Sequence, residues 1–192
     1  MKKTQNRIIS PHAGWRLCLY VMLVMFASCK SCKKEINLLP DETQTGANTF
    51  GCLVDGKAWI PNGGSGWAAS KPISGGYSSP LPNVWLRTYK DNETIIFYIR
   101  NVNKVGTYPL NFDTQPKPAN LYPQNYGEVA MRSYTSGDDS YITTKTYTGS
   151  VEITRADSVN RIVSGRFSFT GVSSTGKTIK VTDGRFDCKT GL

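Results

Sequence analysis

Alternation of apolar and polar residues dominates the last third of this sequence and constrains its fold more than any other feature. In the run GRFSFTG, Phe167 and Phe169 alternate with polar residues. In the run TIKVT, Ile179 and Val181 follow the same rule. A period of two residues is typical of a β-strand with one buried and one solvated face. The short connections ADSVN and SSTGK favour neighbouring antiparallel strands.

Turn signals divide the preceding residues into further strand-like runs. Asp55 and Gly56 form a strong hairpin signal, and NVWLRTY and TIIFYIR are strand-like runs joined by the turn KDNE. Two stretches rich in Gly, Ser and Pro, residues 62–82 and 113–128, are expected to be loops. We count about nine or ten strands, which predicts a single antiparallel β-sandwich or barrel-like domain over residues 49–192.

The first 28 residues have the organisation of an export signal. Four basic residues and no acid precede an uncharged run of eleven residues, Leu17 to Ala27. A transmembrane helix needs about 20 apolar residues, so this run fits a secretory signal better. Ala27 and Ser28 then precede Cys29, a pattern that resembles the lipobox of bacterial lipoproteins. The alternative is an ordinary secreted protein cleaved near Ser28, with Cys29 as a plain thiol.

The N-terminal sequence predicts three regions of the chain and the location of the protein in the cell. Residues 1–28 are a lipoprotein signal peptide, residues 29–48 a lipidated, flexible and mostly polar tether, and residues 49–192 the β-domain. Lys30 follows the cysteine, and the first acid of the tether is Glu35. The absence of an acidic cluster beside the lipid favours the outer membrane, on its periplasmic face.

Charge and histidine content exclude several classes of function. Removal of residues 1–28 takes four of 23 basic residues and none of 14 acids, which leaves a net charge of +5. A charge that modest does not indicate nucleic-acid binding. The only histidine, His12, also leaves with the signal. The mature chain therefore lacks the imidazole of Ser-His-Asp and Cys-His nucleophile systems and of histidine-ligated metals, and we expect no metal or other cofactor.

Two cysteines remain in the predicted domain. Cys52 lies on the first predicted strand and Cys188 on the last, and alternation turns both toward the core. An exported protein can keep disulfides, so we predict a bond between them. The alternative is a pair of separate buried thiols, which pack well.

Aromatic residues in loop-like stretches are candidate ligand-binding residues. They are Trp67, Tyr77, Tyr122 and Tyr126. Exposed rings beside Asn and Gln suit sugar, because C–H faces stack on rings while amides bond hydroxyl groups. The alternative is that long loops fold back and bury their rings, since Tyr and Trp usually dominate packing.

Acidic residues offer two further kinds of site. Asp138 and Asp139 supply oxygens of the kind that calcium prefers, but the same residues are common in hairpin turns, which we favour. A glycosidase needs two carboxyl groups about 5–10 Å apart. The candidates are Glu128, Glu152, Asp157 and Asp187, and sequence does not choose among them.

Both ends of the predicted domain resemble a known group. GSVEITRADSVNRIVSGRFSFTGV with GKTIKVTDGRFD, and NTFGCLVDGKAWIP, are similar to the two ends of a domain found in small outer-membrane lipoproteins of the Bacteroidetes. The resemblance implies an all-β fold of unknown function and brings no catalytic residues. We expect a non-catalytic binding or scaffolding domain, anchored to the membrane by lipid, whose partner is a glycan or an envelope protein. The alternative is a histidine-free, carboxylate-dependent glycan hydrolase.

Overall fold

The computed structural model describes residues 35–64, 71–77, 82–111, 125–132 and 139–190. The described residues form twelve β-strands in one sheet, which confirms the predicted all-β class. The strands are β1 (Thr49–Val54), β2 (Lys57–Trp59), β3 (Gly63–Gly64), β4 (Ile73–Tyr77), β5 (Val84–Asp91), β6 (Glu93–Ile99), β7 (Gly106–Leu110), β8 (Tyr126–Met131), β9 (Asp139–Ile142), β10 (Gly149–Asp157), β11 (Ile162–Val172) and β12 (Thr178–Lys189).

The sheet curls into a half-barrel, in agreement with the predicted barrel-like domain. Its strands follow the order β2-β1-β12-β11-β9-β8-β6-β5-β3, while β10 joins β11 to β7 and β4 pairs with β5. The described pairings are antiparallel except that of β3 with β5, which is parallel. The sheet is therefore mixed rather than purely antiparallel.

Two of the twelve strands lie where the sequence predicted a loop. β3 and β4 both fall within residues 62–82. Gly75 on β4 has a φ of +104°, and a Cβ there would lie 2.0 Å from the carbonyl oxygen of Trp85 on β5. Glycine at this position thus lets the backbone of β4 pair closely with that of β5. The loop prediction was wrong because the glycine allows this close approach of two strands and does not form a turn.

Local patterns that the sequence made explicit are confirmed. Val54 pairs with Lys57 across Asp55 and Gly56, both of which have positive φ, as a two-residue hairpin requires. On β11, Phe167 and Phe169 are buried while Arg166 is exposed.

Aromatic rings from distant strands meet inside the half-barrel. Phe97 on β6 lies 5.3 Å from Phe167 on β11 and 5.1 Å from Phe186 on β12, measured between ring centroids. Phe50 on β1 lies 5.0 Å from Phe167. Because such rings bury large apolar areas, these contacts hold β6 over β11 and β12 and close the core.

The folded unit begins before Thr49. Residues 35–48, here called the N-terminal segment, belong to the compact unit Glu35–Leu192. Leu39 is buried, and Pro40 lies against Gly51 on β1. The prediction of a flexible tether is therefore wrong for residues 35–48, because apolar packing and hydrogen bonds fix them to the sheet. Residues 29–34 lie outside the described part. In the described part, no helix has the length and apolar character to cross a membrane.

Candidate ligand-binding site

The predicted disulfide is absent, and strand register explains why. Cys52 and Cys188 are both free, buried thiols. Gly51 pairs with Arg185 and Leu53 with Thr182, so Cys52 lies level with the middle of β12. Cys188 is four or five residues further along β12, which at about 3.3 Å per residue places it roughly 13–16 Å away. A disulfide needs Cα atoms within about 7 Å, so these two cannot bond without rearrangement. Cys29, the predicted lipidation site, lies outside the described residues.

The two described candidate aromatics lie in packed positions. Tyr77 packs against the main core, and its hydroxyl donates a hydrogen bond to the carbonyl oxygen of Val102 at 3.0 Å. Tyr126 is buried on β8 and stacks on Tyr98 with ring centroids 6.5 Å apart. Tyr98 and Tyr126 belong to a second, smaller apolar cluster with Ile96 and Ile142. Alternation places this cluster on the outer face of the sheet, opposite the main core. Tyr77 and Tyr126 therefore do not form one exposed surface. Trp67 and Tyr122 lie outside the described residues.

Asp187 is the most strongly held of the candidate acids. It is fully buried on β12. Its carboxylate accepts hydrogen bonds from the hydroxyl groups of Thr43 at 2.6 Å and Ser164 at 2.7 Å. It also accepts from the backbone N–H groups of Gly46 at 2.9 Å and Ala47 at 3.0 Å. Burial acts to raise the pKa of Asp187, but these donors outweigh it and lower the pKa to about 2. The residue anchors the N-terminal segment.

Asp157 and Glu128 also have structural partners. Asp157 accepts hydrogen bonds from the backbone and side chain of Asn160 and from Arg155 at 2.7 Å, and these bonds lower its pKa. Glu128 is buried on β8 and accepts a hydrogen bond from the hydroxyl of Ser140 at 2.5 Å.

Asp139 is the one member of the candidate calcium pair that the structure describes. Asp139 is exposed as the first residue of β9, and Asp138 lies outside the described residues. Among the residues that the structure describes, no three His, Cys, Asp or Glu side chains are grouped so as to hold a metal ion.

Glu152, the remaining candidate, belongs to a charged row on the outer face of the sheet. Glu152 on β10 pairs in register with Arg166 on β11, which in turn pairs with Arg185 on β12. Alternation directs these side chains away from the phenylalanine core. An Nη atom of Arg166 lies 3.4 Å from a carboxylate oxygen of Glu152.

The N-terminal segment supplies the wall opposite this row. Two nitrogens of Arg166 contact one carboxylate oxygen of Glu42, at 2.8 Å from Nε and 2.7 Å from Nη2. The hydrogen bond from Arg166 lowers the pKa of Glu42, and the positive charge of Arg185 lowers it further. Glu42 raises the pKa of Arg166 in return. We call the space between Glu42, Glu152, Arg166 and Arg185 the polar cleft.

The polar cleft holds two cavities that share Glu42, Arg166 and Arg185. The smaller, of about 120 Å³, is also lined by residues 41–44 of the N-terminal segment. The larger, of about 400 Å³, is also lined by the hydroxyl groups of Ser150 and Ser168. The cleft therefore combines cationic, anionic and hydroxyl groups around a space open to solvent.

Arg185 has a hydrogen-bond donor that no neighbouring group among the described residues satisfies. Its Nε atom is buried and has no hydrogen-bond partner in the structure. Buried donors are usually satisfied, and an unsatisfied one costs about 1–3 kcal/mol. Because Arg185 lines both cavities, an acceptor oxygen of a bound ligand is the natural partner of its guanidinium group.

Sequence reasoning missed Glu42, Arg166 and Arg185 as site residues. The alternation in GRFSFTG does place Arg166 on the solvated face. The same alternation in DGRFDCK groups Arg185 with Asp187. What the sequence lacks is the register between strands and the position of Glu42, which lies 124 residues from Arg166.

Comparison with known families gives one match. A family model described as a domain of unknown function, DUF6252, matches residues 82–187. The match includes Glu152, Arg166 and Arg185 and excludes the N-terminal segment with Glu42. No curated protein and no solved structure matches the chain.

Proposed function

The chain belongs to the DUF6252 family of domains of unknown function, and from this premise we propose a non-catalytic, glycan-binding domain held in the cell envelope by a lipid anchor. The polar cleft is the observation that carries the binding role. Carboxylates and serine hydroxyl groups bond sugar hydroxyls, and the guanidinium of Arg185, whose Nε–H has no partner among the described residues, donates to a ring, hydroxyl or carboxylate oxygen. The larger cavity, about 400 Å³, is within the range of small-molecule sites.

A binding role also agrees with the state of the acidic residues. Asp157 and Asp187 are occupied by hydrogen bonds that hold local structure. Glu152 faces Arg166, and Glu128 is buried beside Ser140. A hydrolase needs one carboxyl group poised as an acid and a second as a base or nucleophile. These partners favour binding over the alternative, a carboxylate-dependent glycan hydrolase.

The proposed membrane localisation is supported by the N-terminal sequence. A basic start, a short apolar run and two small residues before Cys29 support lipidation of that cysteine. Diacyl or triacyl anchors hold a protein on a membrane durably, which one chain does not. Lys30 in place of an acid supports the outer membrane and its periplasmic face, in a lipoprotein of the Bacteroidetes kind. There the partners would be wall glycan or an envelope protein.

The binding role is tested with the full-length protein and two defined probes, peptidoglycan sacculi and a panel of immobilised bacterial polysaccharides. We expect retention on at least one probe and a roughly 10-fold to 100-fold loss of affinity in Arg185→Ala, since a hydrogen bond to a charged group contributes about 1.5–3 kcal/mol. Arg100→Ala is the matched control, because Arg100 is an exposed arginine at the end of β6 and does not line the cleft. Equal affinity of Arg185→Ala and the native protein, or no retention on any probe, contradicts the proposal.

The anchor is tested by metabolic labelling with a fatty acid. Cys29→Ala is expected to give an unlabelled precursor, whereas Cys32→Ala, three residues away, keeps the label. A labelled Cys29→Ala protein in the membrane fraction would refute lipidation at this cysteine. Protease treatment of intact cells then decides the face of the membrane, since a periplasmic domain survives it.

A further inference from the structure

A second cavity lies at the seam of the half-barrel, where β4 approaches the C-terminal end of β12. The backbone N–H of Tyr77 donates a hydrogen bond to the hydroxyl of Thr190 at 2.8 Å. Gly76 lies against the same threonine. β4 pairs along its length only with β5 among the described strands, so the seam is bridged at one end rather than closed by a full ladder. The space beside this bridge forms a cavity of about 560 Å³.

The lining of the seam cavity differs from that of the polar cleft. Pro72, Ile73 and Cys188 provide an apolar wall that reaches the main core. Lys71 and Lys189 also line the cavity, and both are exposed to solvent. None of the described residues that line it is acidic. The seam cavity therefore combines an apolar wall with two exposed lysines and a few neutral polar groups, and it shares no residue with the polar cleft.

We propose that the seam cavity binds a free fatty acid, with its acyl chain against Ile73 and Cys188 and its carboxylate beside Lys71 and Lys189. Ligand sites are typically apolar spaces in which a few polar groups fix orientation. At about 30 Å³ per non-hydrogen atom the cavity holds roughly 18 such atoms, which is one acyl chain with its carboxylate. The two chains of a phospholipid exceed that volume. The chemistry thus selects a single-chain, anionic amphiphile.

Cys188 provides a built-in reporter of this site, and Cys52 provides its control. Burial raises the pKa of both thiols, that of Cys188 to about 12, so each is a protonated thiol at neutral pH. Both are buried in the same core. Cys188 lines the seam cavity, whereas Cys52 lines none of the three cavities described above. A small apolar reagent that enters the cavity should therefore distinguish them.

The experiment measures binding of radiolabelled dodecanoate to the full-length protein in lipid nanodiscs, with empty nanodiscs as the background. We expect saturable excess binding that weakens at least about 10-fold in Lys71→Glu/Lys189→Glu. Lys177→Glu/Lys180→Glu is the matched control, since both lysines are exposed and lie away from the seam cavity. Dodecanol, which has the chain without the charge, should compete poorly.

Thiol labelling locates the bound chain. With N-ethylmaleimide and peptide mass spectrometry, saturating dodecanoate should slow modification of Cys188 several-fold and leave Cys52 unchanged. The proposal is overturned if binding does not exceed that of empty nanodiscs, or if both lysine pairs give the same affinity. Equal protection of Cys52 and Cys188 would equally overturn it. Since sacculus binding and Arg185 are not involved, failure here leaves the function of the polar cleft intact.

Discussion

At the residue scale, one carboxylate decides where the beginning of the folded unit lies. Asp187 is surrounded by donors from the N-terminal segment, including Thr43 and Gly46, more than 140 residues earlier in the chain. Alternation in the sequence places Asp187 on β12 and on a definite face. It does not reveal that the partners come from a segment that is polar and aperiodic. The sequence therefore identified a candidate acid and missed its structural role.

Replacement of this carboxylate tests that role. Asp187→Asn keeps the size of the side chain but removes the charge and places an NH₂ group opposite backbone donors. We expect the free energy of unfolding to fall by about 3 kcal/mol, since several buried donors lose a charged acceptor. Urea denaturation measures the change, with Asp139→Asn, an exposed aspartate, as the control. A difference below about 0.5 kcal/mol would refute the anchoring role.

The low pKa of Asp187 predicts a specific dependence of stability on pH. Its folded-state pKa, about 2, lies below the ordinary value of 3.8, so the folded state favours the ionised form. The stabilisation is therefore complete above about pH 5 and declines as the pH falls through 3.8 toward 2. The stability gap between the native protein and Asp187→Asn should be wide at pH 7 and narrow near pH 2.5. A gap that stays constant over this range would contradict the assignment.

At the element scale, strands with clear alternation were predictable and strands with close backbone contacts were not. On β11 Phe167 and Phe169, and on β12 Ile179 and Val181, are buried at alternate positions, so the faces of these stretches can be read directly. β4, with the sequence ISGGY, carries glycines that look like loop residues. Their purpose becomes visible only when β5 is beside them, since Gly75 leaves room for the carbonyl group of Trp85. Sequence signals of glycine are thus ambiguous between a turn and a tight pairing.

Substitution of glycine by alanine separates two reasons why a position requires glycine, a positive φ and a lack of space for a side chain. Gly75→Ala combines an unfavourable φ of +104° with a clash against Trp85, whereas Gly176→Ala has a φ of +83° and no atom within 4 Å. We expect Gly176→Ala to lower the free energy of unfolding by about 1–2 kcal/mol and Gly75→Ala by at least about 2 kcal/mol more. Thermal and urea unfolding of the two variants measure the difference. Equal losses would mean that β4 and β5 are less closely packed than described.

At the scale of the whole molecule, the class of fold was predictable and its assembly was not. A curled sheet brings Phe97 onto Phe167 and Phe186, although β6 is separated from β11 by two strands in the sheet. The same curvature sets the polar cleft and the seam cavity on different parts of the sheet. The polar cleft and the seam cavity both depend on the register between strands and on the position of the N-terminal segment, which has no strand pattern. Local periodicity in the sequence predicts neither the register nor that position. The disulfide prediction failed for the same reason, because it assumed a register that β1 and β12 do not have.

The extent of the folded unit gives a prediction for truncation. A fragment of residues 35–192 should fold cooperatively, while a fragment of residues 49–192 loses the hydrogen bonds from Thr43 to Ala47 to Asp187 and the buried side chain of Leu39. Each hydrogen bond to a charged group contributes about 1.5–3 kcal/mol, so the shorter fragment should unfold at a much lower urea concentration. Circular dichroism during urea titration compares the two. Identical midpoints would restore the predicted boundary at Thr49.

The attachment of the N-terminal segment to Asp187 has a mechanical consequence for the lipid-anchored arrangement proposed above. Tension applied at the amino terminus would first load the hydrogen bond between Glu35 and the backbone of Ala58 on β2. It would then reach β12 through the bonds of Thr43, Thr45 and Gly46 to Asp187. β12 is an interior strand with β1 on one side and β11 on the other. The bonds to Asp187 would thus load this strand, which is supported on both flanks, before the chain pulls directly on the first residue of β1. In that proposed arrangement, the buried carboxylate is one point where a membrane tether would transmit force to the body of the domain.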